Sequence, residues 1–497
     1  MGGWPRRPVV YEVNTATWLS DLSTIAGRRV GLADVPACAW DRIAIPGVDA
    51  IWLMGVWERS PAGVAVFEQN PPLWGELRAA LPDLAPEDII GSPYCVRRYV
   101  VDEIFGGPEA LRVARDELAR RGKRLILDYV PNHLAEDHPW TTCHPEWFIA
   151  GEPSDLAEDP ASWVVLPSGR VVARARDPLF GPWPDVVQLD AFQPEVRTAT
   201  TETLCAIAAQ CDGIRCDMAM LLMNHVFGKT WCGRVGPKPS TEFWATVIAG
   251  LRVEHPDTVL FAETYWGLEH ELQHQGFEFC YDKRLYDRIV DCAPNAIRDH
   301  LRADVSYQSR LLRFVENHDE CRVANLLPPN AVQAAAVIVA TLPGAVLWHE
   351  GQFERRRTHA PVVLRRRRCE VPDLETVRWY HRFLGELDST GIATGEWRLL
   401  EAEGSPDNET CDSLLCWSWC DAAAGSRHVV AVNMSPAEAS GRLRLSWPDL
   451  DGNTFKLLDL VNDTVYERCG AELRSPGLFV HLGPWQSHVF SLTAATS

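Results

Sequence analysis

Four apolar runs in this chain end on charged or polar side chains. They are Leu127-Asp128-Tyr129-Val130-Pro131-Asn132-His133, Gly213-Ile214-Arg215-Cys216-Asp217, Phe261-Ala262-Glu263-Thr264 and Glu316-Asn317-His318-Asp319. Strand formation does not call for carboxylates at such ends, and burying them costs free energy unless they are paired. If each run is a strand, Arg215 and Asp217 point to the same side. A fixed cation beside Asp217 should keep that carboxylate ionised, as a glycosyl nucleophile requires. Glu263 follows Phe261 and Ala262, and a less polar setting would raise its pKa and suit it to general acid work. On adjacent strands the two carboxyls could stand about 5 to 5.5 Å apart, the separation of a retaining glycosidase. Asp319 offers a third carboxylate for an oxocarbenium-like transition state. Taken singly, each piece has a plainer structural reading: Arg-x-Asp as a buried ion pair, Asn-His as a loop cap, a strand-end Glu as a solvated group. Their number and order along the chain favour chemistry.

The elements that must position these residues read as alternating strands and helices. Candidate strands are Val9 to Asn14, Ala50 to Val56, Arg124 to Tyr129, Gly213 to Met218, Thr258 to Thr264, Phe277 to Tyr281, Leu312 to Asn317 and Ala345 to His349. They are apolar nearly throughout, as in a parallel sheet covered on both faces. Pro108 to Arg121 and Glu195 to Ala209 read as helices, the first with Pro near its start and a basic last turn before Gly122. The fold expected is α/β, a (β/α)8 TIM barrel, with a doubly wound sheet as the alternative. Glu58 to Pro93 and Leu134 to Asp190 read as irregular stretches on the catalytic face. From about Trp397 the pattern becomes antiparallel: Leu414 to Trp419, His428 to Asn433, Gly441 to Ser446, Thr454 to Leu460 and Ser487 to Leu492, with Gly483-Pro484-Trp485 as the last turn. The expected domains are residues 1–133 and 191–390 as the barrel, 134–190 as an inserted domain after the third strand, and 391–497 as a C-terminal antiparallel β-sandwich.

Composition narrows the partners. The chain has 497 residues, 46% of them apolar and 23% charged, with a net charge of -19. That charge argues against nucleic acid or an anionic membrane as partner. Met1 to Val10 contains two Arg but no long apolar stretch, so neither a secretory leader nor a membrane span is expected. The 15 Cys include no CxxC pair and read as reduced core thiols of a cytoplasmic protein, with Cys411, Cys416 and Cys420 on a strand. The sequons at Asn408, Asn433 and Asn462 then carry no meaning. Arg355 to Arg357 and Arg365 to Arg368 read as solvated or carboxylate-paired loops, with an anion pocket as the sharper alternative. The 20 Trp could stack on sugars, but most read as core.

The four segments resemble the four signature regions of the α-amylase family of glycoside hydrolases. They stand as Asp128-Tyr-Val-Pro-Asn-His133, Gly213-Ile-Arg-Cys-Asp217, Glu263 within Phe-Ala-Glu-Thr, and Phe314-Val-Glu-Asn-His-Asp319. The likeness continues in Asp49-Ala-Ile-Trp-Leu53, Tyr281-Asp-Lys-Arg-Leu-Tyr286 and Leu342-Pro-Gly-Ala-Val346, and covers most of residues 8 to 390. It implies an enzyme acting on α-glucosidic bonds of an oligosaccharide or α-glucan. Asp217 would attack the anomeric carbon, and Glu263 would serve as acid and base. Asp319 would hold the hydroxyls of the reacting sugar. Arg215 would orient Asp217, and Asp128 would support Arg215. His133 and His318 would hydrogen-bond the same sugar, and Tyr94 would stack on it. No cofactor is required. Asn132 matches a calcium ligand of the family, but its usual companions are not evident. Met218 to Met223 replaces the Lys-His pair common after the nucleophile, and Ser92 stands where relatives often carry His. Val187-Gln-Leu-Asp190 resembles the inserted-domain motif of intracellular or transferase-like members. Hydrolysis, glucanotransferase or maltosyltransferase activity, and a non-catalytic binding role all follow from such a chain, the last usually with a carboxylate lost. The residues leave oligomeric state open.

Overall fold

A computed structural model describes residues 3–69, 71–392, 394–404 and 408–495. Met1 and Gly2, the start of the N-terminal run read above, lie outside the described residues. Eight parallel strands close into a barrel: β1 (Val9–Asn14), β2 (Ala50–Met54), β3 (Arg124–Tyr129), β4 (Gly213–Cys216), β5 (Val259–Ala262), β6 (Phe279–Tyr281), β7 (Leu311–Arg313) and β8 (Ala345–His349). The sheet closes where β1 pairs β8. Closure excludes the doubly wound alternative.

The strands are buried on both faces because helices cover the outside and side chains fill the inside. Alternate residues Val10, Ala50, Trp52, Ile126, Phe261, Phe279, Tyr281, Leu312 and Leu347 form the inner cluster. The same period of two carries Glu12, Asp128, Asp217 and Glu263 toward the axis at the C-terminal ends. Several strands are shorter than expected: β4 stops before Asp217 and β7 stops at Arg313, so Phe314 to Asp319 is already loop. The apolar run outlasts the ladder there because the loop itself is buried.

Glu58 to Pro93 is not irregular. It holds a strand, Trp57–Arg59, paired with Val96–Val101, and helices Pro61–Glu68 and Pro71–Ala80. Pro61 and Pro86 sit in first turns, where a missing N–H costs nothing, Pro82 and Pro93 lie in turns, and the Ser60 side chain caps the first helix. Across the start of 134–190, His133–Ala135 pairs Val186–Gln188, and further in Trp163–Val165 pairs Val171–Ala173.

C-terminal to the barrel, a six-stranded sheet and a three-stranded sheet enclose an apolar layer containing Leu443, Phe455 and Val480. Glu396–Leu400, Ala402–Glu403, Thr464–Cys469 and Leu478–Leu482 add strands beyond those expected. Thr464–Cys469 pairs on only one side and is largely exposed, so it carries little apolar alternation to read. Cys411 lies in a turn before the strand that holds Cys416 and Cys420. All 15 cysteines are free, but Cys38, Cys143, Cys232, Cys321, Cys369 and Cys469 are exposed rather than core. Asn433 is fully buried, with its amide donating to backbone carbonyls.

The six-stranded sheet packs on the barrel through the helix Pro329–Thr341. Trp417 and Trp419 donate their indole N–H to Thr341 O at 3.2 and 2.8 Å, and Arg7 donates to Val339, Ala340 and Leu342 carbonyls. These donors satisfy carbonyls that the end of a helix leaves free, and Arg7 complements its negative end. A cavity of about 950 Å3 lies here, lined by Arg7, Asp49, Trp348, Trp397 and Trp419. It opens at the N-terminal ends of the strands, and Asp217, Glu263 and Asp319 are not among its lining residues. No helix among the described residues is long and apolar enough to cross a membrane.

Candidate active site

The C-terminal ends of β3, β4 and β5 lie in register. Arg215 pairs Asp128 on one side and Phe261 on the other. One step on, Asp217 N donates to Tyr129 O at 2.8 Å and Glu263 N to Cys216 O at 3.0 Å. The ladder therefore fixes three carboxylates around one guanidinium. Arg215 Nη1 lies 2.7 Å from Asp217 Oδ1 and 3.9 Å from Asp128 Oδ1, and Nη2 lies 2.8 Å from Glu263 Oε2. The cation is fully buried over the rings of Trp52, Tyr94 and Tyr281, with ring centroids 5.1 to 5.9 Å away. Asp128 is held in turn by Trp52 Nε1 at 3.1 Å and Gly55 N at 2.8 Å.

The two oxygens of Glu263 have different partners. Oε2 accepts from Arg215 and from Met218 N at 2.7 Å, while among the described residues Oε1 meets only the Tyr265 hydroxyl at 2.8 Å. Oε1 is the oxygen left to carry an acid proton. Burial pushes this carboxyl up to about 7, with Asp217 and Asp319 adding to the rise and Arg215 opposing it. Asp217 keeps the cation that the sequence placed beside it. Its Arg215 pair is present, yet burial outweighs the pair and moves the carboxyl above its ordinary value. Desolvation in a closed barrel end exceeds what one shared cation returns.

Asp319 sits at the mouth, with its side chain 44% exposed, while Asp217 and Glu263 lie buried behind it. His318 Nε2 is 3.1 Å from Asp319 Oδ2 and 2.7 Å from the Tyr94 hydroxyl. Partial desolvation at the mouth would raise Asp319, but pairing with His318 outweighs it and holds the carboxyl below its usual range. His133 is buried, its ring 5.0 Å from that of Trp183, and burial lowers it to about 4. Asn132 lies beside it with its amide paired to Gln188: Nδ2 donates to Gln188 Oε1, and Oδ1 accepts from Gln188 Nε2. No group of three His, Cys, Asp or Glu able to hold a metal occurs among the described residues.

Sequence reasoning passed over Glu12 and gave Met218, Tyr265 and Tyr281 no part in holding the carboxylates. Met218 adopts a left-handed backbone (φ 43°), which turns its N–H onto Glu263. No residue preference signals that turn, because non-glycine residues rarely adopt it. Glu12 was findable: like the others, it is a carboxylate ending an apolar strand. Four arginines of the basic runs are carboxylate-paired, Arg356 among them through Asp21. Arg367 binds Asp21 and Glu350, Arg366 binds Asp83 and Asp88, and Arg355 binds Asp373.

No family model matches the chain. The α-amylase MalA of Haloarcula japonica is 22% identical over 359 residues, covering 70% of this chain and 44% of that protein. The α-1,4-glucan:maltose-1-phosphate maltosyltransferase of Burkholderia pseudomallei is 24% identical over 280 residues, covering 53% of this chain and 21% of that protein. The matches thus span less than half the length of these curated relatives. Among solved structures, the α-amylase of H. orenii matches with TM-score 0.69 at 16% identity, covering 98% of this chain and 100% of that one. The α-amylase of Geobacillus thermoleovorans, solved with acarbose, matches with TM-score 0.68 at 18% identity over the whole of both chains. With the four segments gathered at one barrel mouth, the chain is similar in sequence to an α-amylase, an oligo-1,6-glucosidase and a maltosyltransferase, and shares its fold with solved α-amylases.

Proposed function

We propose that this chain is a retaining enzyme of α-glucosidic bonds, working by double displacement on malto-oligosaccharides or α-glucans. The observation that carries the reading is the single guanidinium of Arg215 bridging Asp217 and Glu263. Two carboxylates held on one fork stand close together, as a nucleophile and an acid/base in a retaining site must. Asp217 attacks the anomeric carbon as Glu263 Oε1 gives its proton to the leaving oxygen. The β-linked intermediate is then opened by water or a sugar hydroxyl, whose proton returns to Glu263. Asp319 and His318 hold the hydroxyls of the reacting sugar, His133 meets it from the insertion, and Tyr94 lies against it. Transfer to a sugar acceptor is the second reading. It is favoured by Trp266, 40% exposed three residues after Glu263, and by the maltosyltransferase among the relatives. Fifteen free thiols support a reducing compartment, and we assign the protein to the cytoplasm.

Incubation with maltoheptaose, with and without maltose as acceptor, tests this. Shorter products alone mean hydrolysis, and longer products as well mean transfer. No turnover of any α-glucoside by the wild-type protein overturns the proposal.

A further inference from the structure

Strand β1 carries a carboxylate that the mechanism above leaves unused. Glu12 is fully buried, two residues beyond Val10 on the inward face of the barrel. Its Oε1 lies 2.5 Å from His318 Nδ1, and its Oε2 is buried with no hydrogen-bond partner among the described residues. His318 is also its only ion-pair partner among them. A buried carboxylate is costly unless a cation faces it. Across the ring, His318 Nε2 faces Asp319 Oδ2 and the Tyr94 hydroxyl. The imidazole is therefore clamped between two carboxylates, which only accept hydrogen bonds. A neutral ring has one N–H and would turn a lone pair toward one of them, whereas an imidazolium satisfies both.

The other titratable and charged groups acting on this cluster are Asp128 on β3, Arg215 on β4, Tyr281 on β6, His349 on β8, and Asp217, Glu263 and Tyr265, which face Asp319. From the loop after β8, His359 Nε2 lies 2.7 Å from the His318 carbonyl, not from its ring. None of them supplies Glu12 with a second partner.

We propose that Glu12 is a positioning residue that holds His318 as an imidazolium, with its Nε2–H committed to the mouth beside Asp319 and Tyr94. Burial alone would discharge the ring, but Asp319 and Glu12 outweigh it. The role given to the ring's Nε2–H in turnover rests on the reading of the mouth as a glucosyl site, whereas the charge on the ring does not.

Nitrogen NMR of histidine-labelled protein, with His318→Gln to assign the ring, tests the charge without substrate. In the wild type both ring nitrogens are expected to stay protonated at about pH 8, above the ordinary histidine range. In Glu12→Gln, which keeps the shape and an acceptor oxygen, the ring is expected to be neutral at that pH. The kinetic arm uses α-glucosyl fluoride, whose leaving group needs no proton, so the acid form of Glu263 does not limit departure. Relative to wild type, Glu12→Gln should lose about 10- to 100-fold in kcat/KM above about pH 7, the size of one charge-assisted hydrogen bond, and recover as the pH falls. Glu12→Asp, which keeps the charge, should lose less. A wild-type His318 that titrates in the ordinary range overturns the proposal, even if Glu12→Gln fails to fold. A ring still charged at about pH 8 in a folded Glu12→Gln protein also overturns it. A charged wild-type ring that Glu12→Gln discharges, in a protein that turns over no glucosyl donor, supports the clamp while ending the functional reading.

Discussion

Arg215 binds Asp217 through one terminal nitrogen and Glu263 through the other, so replacing it disturbs both carboxylates at once. Lysine offers a point charge without the fork, and Arg215→Lys is expected to lower kcat about 100-fold or more. Asp217→Asn should remove at least about 1000-fold of kcat while leaving the circular dichroism spectrum unchanged, because the amide keeps its volume. Unchanged turnover would remove Asp217 from the nucleophile's role. Glu263 must hold its proton to release the leaving oxygen, so the rate on maltoheptaose should fall as the pH rises through about 7. The same carboxyl acts on stability. It is raised from 4.5 to about 7, so the folded state binds its proton more tightly than the unfolded chain. Stability is then present in full below the lower value and declines until the upper one is passed. Glu263→Gln should flatten that decline. Its melting temperature relative to wild type should rise by on the order of 1–3 °C from acid to mildly alkaline pH, read by calorimetry.

At the scale of elements, loops rather than strands complete the site. The turn after β4 puts Met218 N–H on Glu263, and the segment after β8 is pinned by Arg367 to Glu350 and to Asp21 of the helix Thr15–Ala26. The Arg367 side chain is 6% exposed and Glu350's 10%, so solvent screens this pair little. Against burial, Arg367 holds Glu350 down to about 2. Arg367→Met strands the buried Glu350, while Asp21 keeps Arg356, and should cost about 3 kcal/mol, seen as a lower urea midpoint. An equal midpoint would mean that the loop is anchored elsewhere.

Across the whole molecule, one apolar core runs from the barrel helices into the C-terminal sheet. Val337, Tyr380 and Phe383 share it with Trp397, Leu415, Trp417 and Val430. Two parts that share a core should unfold together, so calorimetry is expected to show one transition. Trp417 is fully buried, and Trp417→Ala should lower that transition by removing packing worth about 3–5 kcal/mol together with a donor to the end of the Pro329–Thr341 helix. A separate early transition of the sheet domain would contradict the shared core.

The sequence by itself determined the periodicities. The apolar runs from β1 to β8, the change to antiparallel strands after about Trp397 and the carboxylates at strand ends follow from side-chain alternation, which is local. The four segments marked Asp217, Glu263, Asp319 and Arg215 as members of one site because residue type and order are written in the chain. Tertiary structure decided what depends on distance. Closure of β1 on β8 brings Glu12 to His318, 306 positions apart, and the left-handed turn at Met218 aims an N–H that no pattern announces. It also set the balance at Asp217. The Arg215 pair was legible two residues away, but the burial that outweighs it comes from the whole barrel packed around the pair. Desolvation sums over everything that excludes water, and no stretch of sequence holds that sum.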